Sequence, residues 1–375
     1  MAVGKNPQIL ALNEIGQSVW YDNLSRDVLR SGELANLIAQ GVSGLTSNPT
    51  IFKQAIADTS NYDADMKQPE LVGLSTEALC EELMVRDVAA AADLLRATYD
   101  STGAGDGYAS IEVSPYLAAD GKGTVEAAVR LWKKLNRPNV MIKIPATPEC
   151  IPAIQATLEQ GINVNVTLIF STQVYEQVAN AYISALEARV KRGEDVSKIS
   201  SVASFFVSRV DSSVEKAVDE LVKGGKAQPS DKDAFLGKVG VANSKLAYSS
   251  FEKLFGSDRF KALREKGARV QRPLWASTGT KNPAFKAVMY VEELAGRDTV
   301  NTMPPATVKA LIAGATIEPR LHKGLAEAQA LVAKLGALGV SFDAVLRDLQ
   351  VAGVKSFSDS YKDLLASIDA KRKAI

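Results

Sequence analysis

Eight short apolar runs rich in β-formers, each followed by a longer stretch of helical periodicity, limit this chain more than any other feature. The runs are Ser18–Asp22, Val42–Thr46, Ala109–Ser114, Asn139–Pro145, Asn163–Phe170, Ser200–Phe206, Arg272–Ser277 and Thr299–Met303. Eight strands alternating with helices predict a closed parallel (β/α)8 barrel, the TIM barrel of the α/β class. Several strand-to-strand steps are roughly 25–35 residues, the size of one βαβ unit.

Two steps are much longer, Pro49 to Tyr108 and Val207 to Gln271. Neither carries a strand set of its own, so both read as extra helices inserted on the barrel. From about residue 304 to Ile375 the pattern is all helix, including Leu321–Leu335 and Phe342–Ala352, with the Lys-rich tail Lys371–Lys373 as a frayed, solvated end. A chain of 375 residues would suggest two or three domains at about 150 each. The single strand set argues instead for one decorated barrel over residues 1–375.

Composition removes whole classes of chemistry. With one histidine, His322, no site can use two, which excludes His-rich zinc sites and H-E-x-x-H proteases. Two cysteines, Cys80 and Cys150, are too few for a disulfide scaffold and fit a reducing cytosol. The balance of 44 basic to 43 acidic residues gives no electrostatic footprint for nucleic acid or a membrane surface. Met1–Asn13 lacks the basic and apolar regions of a secretion signal, and no apolar run reaches the length of a span, about 18 residues. The expected setting is therefore the cytoplasm. Gly103-Ala104-Gly105-Asp106-Gly107 follows a helix and precedes a strand, the wrong order for a dinucleotide fingerprint, and reads as a plain loop.

Barrel chemistry gathers at the C-terminal ends of the strands. The informative residues are therefore polar ones late in apolar strands: Asp22, Asn48 beyond Thr46, Glu112, Lys143, Asn165 with Thr167, Ser204 and Ser277. Lys143 is the sharpest, flanked by Met141, Ile142, Ile144 and Pro145 in a central strand. Lysine is almost never fully buried without a partner. The competing readings are a Schiff-base nucleophile and a core ion pair with Glu112 or Asp22. At a pKa of about 10.4, only about one lysine in 2,500 is neutral at pH 7, and lowering it by about three pH units takes ~4 kcal/mol. Burial pushes that way but a nearby carboxylate pushes back, so two acids in the same mouth need roles of their own.

Asp22 is equally an N-cap for the next helix or a catalytic acid. Glu112, between Ile111 and Val113, reads as functional or ion-paired. Asn163, Asn165 and Thr167 share one parity of the fifth strand, and Val164, Val166 and Leu168 the other, so the polar row should face the lumen. Ser204–Arg209 and Ser277–Lys281 combine hydroxyls, turns and a cation after late strands, where this architecture commonly holds phosphate; helix capping is the alternative. His322 reads as a surface or helix-start residue, and both cysteines as structural.

Three motifs in order resemble those of the transaldolase family over essentially the whole chain: Gly44-Leu-Thr-Ser-Asn-Pro-Thr-Ile-Phe52, Val140-Met-Ile-Lys-Ile-Pro-Ala-Thr147 and Asn165-Val-Thr-Leu-Ile-Phe-Ser171. The long insertions and helical C-terminus are most similar to its larger bacterial forms. The resemblance implies that Lys143 forms a Schiff base with a ketose phosphate. Asp22 would move the C4 hydroxyl proton, and Glu112 with Thr167 would handle water. Asn48 and Asn165 would hold the dihydroxyacetone fragment, and Ser204, Arg209 and Ser277 the phosphate. It implies no metal or other cofactor, and family habit alone suggests a homodimer. An iminium supplies the electron sink that a metal supplies in other aldolases.

Three positions depart from the family pattern. Cys150 stands where glycine is common, and Leu45 where a smaller or branched residue is usual. Lys281 is the nearest cation to a position where many members carry an arginine. Lysine offers a phosphate a point charge, not a bidentate fork. The nearest rival is an aldolase that releases free dihydroxyacetone; such relatives tend to carry tyrosine where this chain has Phe206. A catalytically silent sugar-phosphate-binding barrel is the other rival.

Overall fold

A computed structural model describes residues 4–57 and 59–374; Met1–Val3, part of the stretch read for a secretion signal, and Ile375 lie outside them. Eight parallel strands close into a barrel in chain order: β1 Gln17–Tyr21, β2 Gly44–Leu45, β3 Tyr108–Glu112, β4 Val140–Pro145, β5 Val164–Ile169, β6 Ser201–Phe206, β7 Arg272–Ala276 and β8 Thr299–Met303. β8 returns to β1 with Gln17 opposite Thr299 and Tyr21 opposite Met303. The expected (β/α)8 barrel is thus the observed one, with strand ends shifted by one or two residues.

β2 is shorter than Val42–Thr46 predicts. Its neighbours still donate to β1, Ser43 N–H to Val19 O and Thr46 N–H to Tyr21 O, both at 2.9 Å. Gly44 is required there, since a Cβ would sit 2.5 Å from the Trp20 ring.

Strand alternation sorts the side chains into two sets. Val19, Ile111, Ile142, Val164, Val166, Ala203, Phe205 and Trp275 face outward into the core shared with the surrounding helices. Inside, Trp20, Tyr108, Met141, Val202, Leu274 and Val300 form an apolar layer. Two residues further along on the same face come Asp22, Ser110, Lys143, Ser204 and Thr302. A polar tier therefore rests on an apolar one at the C-terminal mouth.

The loop Gly103–Gly107 serves the opposite end. Asp106 accepts hydrogen bonds from Ser18, Ser43 at 2.8 Å and Trp20 Nε1 at 2.8 Å, and pairs with Arg272 at 3.6 Å, closing the barrel floor.

The two long connections hold helices, as expected: Pro49–Ala57, Asp63–Met66, Pro69–Val72 and Thr76–Ser101 in the first, and Ser208–Lys223, Pro229–Phe235, Val239–Phe255 and Asp258–Arg264 in the second. The C-terminal region is not all helix. Helices Pro305–Ala313, Leu325–Ala337 and Phe342–Ala374 are separated by a non-helical stretch after Gly314, where exposed His322 lies in a turn. Nor is the Lys-rich tail frayed: Lys371 Nζ donates to Thr59 O at 2.6 Å, and Arg372 to Leu74 O and Val72 O at 2.9 and 2.7 Å. Those carbonyls belong to the first long connection, so the tail is tied across the fold. Among the described residues no single helix is long and apolar enough to cross a membrane.

Candidate active site

β3, β4 and β5 run in register, with Glu112 opposite Lys143 and Lys143 opposite Asn165. Registered neighbours in a parallel sheet project to the same face, so one row across three strands carries acid, amine and amide. Lys143 is 4% exposed; its Nζ donates to Ser47 O at 3.1 Å and lies 3.5 Å from Glu112 Oε2. The pairing with Glu112 weighed against a nucleophile is therefore present, and Lys143 also lines the cavity at the mouth.

Burial pushes the Glu112 carboxyl up to about 7, against the attraction of Lys143 and with a further push from Asp22. Glu112 Oε2 and Thr167 Oγ1 are both buried without a hydrogen-bond partner. Each such atom carries a desolvation penalty that no hydrogen bond within the chain offsets. Glu112 also borders a second cavity of about 30 Å³ beside Asn48, Met84 and Tyr361, room for about one water.

Asp22 is not a cap. The following helix, Arg26–Arg30, is capped by Ser25, whose hydroxyl accepts from Val28 N–H. The Asp22 carboxylate instead accepts from Thr46 Oγ1 at 2.6 Å, and Thr46 and Thr302 hydroxyls lie 2.6 Å apart. Because Thr46 has one proton to give, Thr302 donates to it. Burial raises the Asp22 pKa, opposed by Lys143, the Thr46 bond and Arg209.

The fifth strand partly departs from its predicted parity. Asn165 and Thr167 face inward and Val164 and Val166 outward. Leu168 does not join the outer row: it adopts φ 59°, the register against β6 shifts between Val166 and Ile169, and its side chain packs inward with Phe170 and Phe206. This bulge reverses the alternation just after Thr167. Asn165 donates one amide hydrogen to Ser110 Oγ at 3.1 Å and its side-chain carbonyl accepts from Ser204 Oγ at 2.7 Å. Ser204 therefore lies deep, on Asn165, and lines the same cavity as Arg209 and Ser277.

At the rim, half-buried Arg209 stacks its guanidinium 5.2 Å over the Phe206 ring; burial lowers its pKa, with Asp22 acting against that. The helix Ser208–Lys223 has no side-chain cap, so neither serine nearby is used for capping. Ser277, in left-handed backbone at φ 57°, brings its hydroxyl 2.9 Å from that of Ser208, and exposed Lys281 stands beyond it. Asn48 caps the helix Pro49–Ala57, its side-chain carbonyl accepting from Ile51 N–H at 3.0 Å, which leaves its NH2 group free for a ligand.

One cavity of about 210 Å³ gathers nine of the eleven predicted residues: Asp22, Asn48, Lys143, Thr167, Ser204, Phe206, Arg209, Ser277 and Lys281. Glu112 and Asn165 stand behind this wall, touching Lys143 and Ser204 respectively. Thr46, Thr302 and Phe357 also line it and were not anticipated. Strand parity could have found the two threonines. Phe357 comes from the C-terminal helix, and no local pattern announces it.

The transaldolase/fructose-6-phosphate aldolase family matches residues 19–368. The chain is 44% identical to transaldolase 2 of a Nostoc species over 373 residues, 98% of each chain. It is 44% identical to the transaldolase of Mycolicibacterium smegmatis over 377 residues, 99% of this chain and 100% of that one. Against the transaldolase of Frankia alni the figure is 45% over 363 residues, 95% of each. A barrel with a buried strand-four lysine between two acids and a cationic rim, matched from end to end by such relatives, belongs to the transaldolase/fructose-6-phosphate aldolase family and is an enzyme.

Proposed function

We propose that this enzyme transfers a dihydroxyacetone unit from a ketose phosphate, sedoheptulose 7-phosphate or fructose 6-phosphate, to an aldose phosphate, glyceraldehyde 3-phosphate or erythrose 4-phosphate. The carrying observation is the buried Lys143 amine, 3.5 Å from Glu112 at the base of a cavity whose rim carries Arg209 and Lys281. The amine adds to the ketose carbonyl, and Glu112 as an acid protonates the departing hydroxyl of the carbinolamine, leaving an iminium. Asp22, held by Thr46, takes the C4 hydroxyl proton as the C3–C4 bond breaks into the iminium. The aldose phosphate leaves, and the three-carbon enamine waits on Lys143. Attack on the new aldose reverses these steps, Asp22 returns the proton, and water activated by Glu112 with Thr167 releases the product.

The rim cations suit a phosphate, and no group beyond the chain's own side chains is needed for the electron sink. Phe206 favours transfer over simple release, since a phenyl ring has no proton to give the enamine. The cytoplasm and the non-oxidative pentose phosphate pathway are the setting this reading gives the chain, acting as one decorated barrel.

The test is borohydride reduction in the presence of fructose 6-phosphate, followed by intact mass. A three-carbon adduct on Lys143, absent in Lys143→Ala, supports the reading; no adduct, or one unaffected by that change, sinks it. A coupled assay with fructose 6-phosphate and erythrose 4-phosphate, following glyceraldehyde 3-phosphate, then distinguishes transfer from release.

A further inference from the structure

The C-terminal helix Phe342–Ala374 turns one stripe toward the barrel, buried at Leu346, Gly353, Phe357 and Tyr361. Gln350 lies on that stripe, and its side chain spans two strand ends. Nε2 donates to Ala146 O at 2.8 Å, beyond β4, and to Leu168 O at 3.2 Å, in β5. These carbonyls follow Lys143 by three residues and Thr167 by one.

Leu168 is where β5 needs support. A non-glycine residue in left-handed backbone is strained and persists only when its surroundings hold it. Gln350 binds its carbonyl, and Gly353 lets the helix reach its side chain: a Cβ at residue 353 would lie 3.0 Å from Leu168 Cδ2. One turn on, Phe357 places its ring centroid 5.8 Å from Lys143 Nζ and belongs to the same buried cluster as Leu168, Phe170 and Phe206. Polar Gln350 and small Gly353 thus sit where the stripe crosses the bulge, and the aromatic where it crosses the amine.

We infer that this helix is a working wall of the active site: Gln350 positions Thr167 through the Leu168 bulge, and Phe357 shields the lysine-bound fragment from water. The inference rests on the Schiff-base reading above. The side reaction it guards against is defined. The enamine carbon takes a proton from water, the resulting hydroxide adds to the iminium carbon, the C–N bond breaks, and the amine and free dihydroxyacetone result. One water is consumed per fragment lost.

The experiment compares the parent with Phe357→Ala, Phe357→Leu and Gln350→Leu, using fructose 6-phosphate with and without erythrose 4-phosphate. Free dihydroxyacetone released per transfer is measured beside kcat, KM and the melting temperature. Phe357→Ala is expected to raise that ratio at least tenfold and Phe357→Leu severalfold. Gln350→Leu is expected to lower kcat at least tenfold with KM within threefold. Val351→Ser, on the exposed side of the helix, serves as the unchanged control. A purely structural helix would alter melting without moving the ratio. Folded variants keeping ratio and kcat within twofold of the parent overturn the inference; if Phe357→Ala does not fold, Phe357→Leu decides. A parent that traps no adduct overturns the Schiff-base reading itself. A trapping parent with unchanged variants overturns only the role of the helix.

Discussion

Lys143 and Glu112 face each other across adjacent strands at 3.5 Å, each with 5% of its side chain exposed. The amine is also bound by a backbone carbonyl, whereas Glu112 Oε2 accepts no hydrogen bond. Burial outweighs the attraction between them on the acid's side, so the carboxyl holds its proton to about pH 7. A buried pair of this kind stabilises little by itself, and its asymmetry favours proton transfer.

Glu112→Gln tests that asymmetry twice. The native state binds this proton more tightly than the unfolded chain, so the group's stabilisation is complete below its ordinary pKa of 4.5 and is lost as pH rises through about 7. A glutamine has nothing to lose there. Chemical denaturation should therefore find the variant more stable than the parent at pH 8, on the order of 2–3 kcal/mol, with the gap closing by pH 5. Activity should fall about 100-fold or more, and the inflection near pH 7 should vanish from the rate of adduct formation. A variant that keeps the inflection assigns it to another group.

The rim makes a graded prediction. Arg209 is half-buried and Lys281 exposed, so the arginine's hydrogen bonds to a phosphate gain more from desolvation. Arg209→Ala is expected to raise KM for sugar phosphates about 30- to 100-fold, the effect of roughly 2–3 kcal/mol in charged hydrogen bonds. Lys281→Ala should raise it only severalfold, and Lys281→Arg should lower it. Steady-state KM values for phosphorylated and unphosphorylated ketoses check all three; equal losses for both substrates would place these cations elsewhere in the mechanism.

Phe206 lines the cavity with its ring 5.0 Å from that of Phe170. Phe206→Tyr puts a hydroxyl where the enamine waits. It is expected to raise fructose 6-phosphate cleavage relative to transfer, read as free dihydroxyacetone per glyceraldehyde 3-phosphate formed. An unchanged ratio would remove this ring from the control of partition.

Asp106 separates stability from catalysis. It gathers three side-chain donors and Arg272 at the barrel floor, the opposite end of the strands from Lys143. Asp106→Ala removes the acceptor of Trp20 and the two serines and the charge facing Arg272, which keeps Ser18 Oγ at 2.6 Å, a loss of about 3 kcal/mol. Urea unfolding should show that loss, while kcat and KM measured well below the transition stay within twofold of the parent. A large fall in kcat would mean that the floor shapes the mouth.

The barrel and most of the residues lining the candidate site are legible in the sequence alone. Strand and helix periodicities are local, so eight alternations predict the closed sheet, and a polar residue late in an apolar strand predicts what faces the mouth. Lys143, Glu112, Asp22 and Thr167 were legible for that reason, as was the cavity row that their register creates.

Tertiary structure decided what depends on distant partners. Asp22 could have been a cap until Ser25 took that role and Thr46 faced the carboxylate. Leu168 breaks its strand's parity at a bulge that Gln350 and Gly353 of the C-terminal helix meet, a partner far beyond local sequence. The tail read as frayed is anchored because its cations reach carbonyls of the first long connection. Periodicity says which face of the C-terminal helix is buried, but what that face covers depends on where the chain's return path lays it. Only the packed fold brings Phe357 over the lysine that β4 supplies.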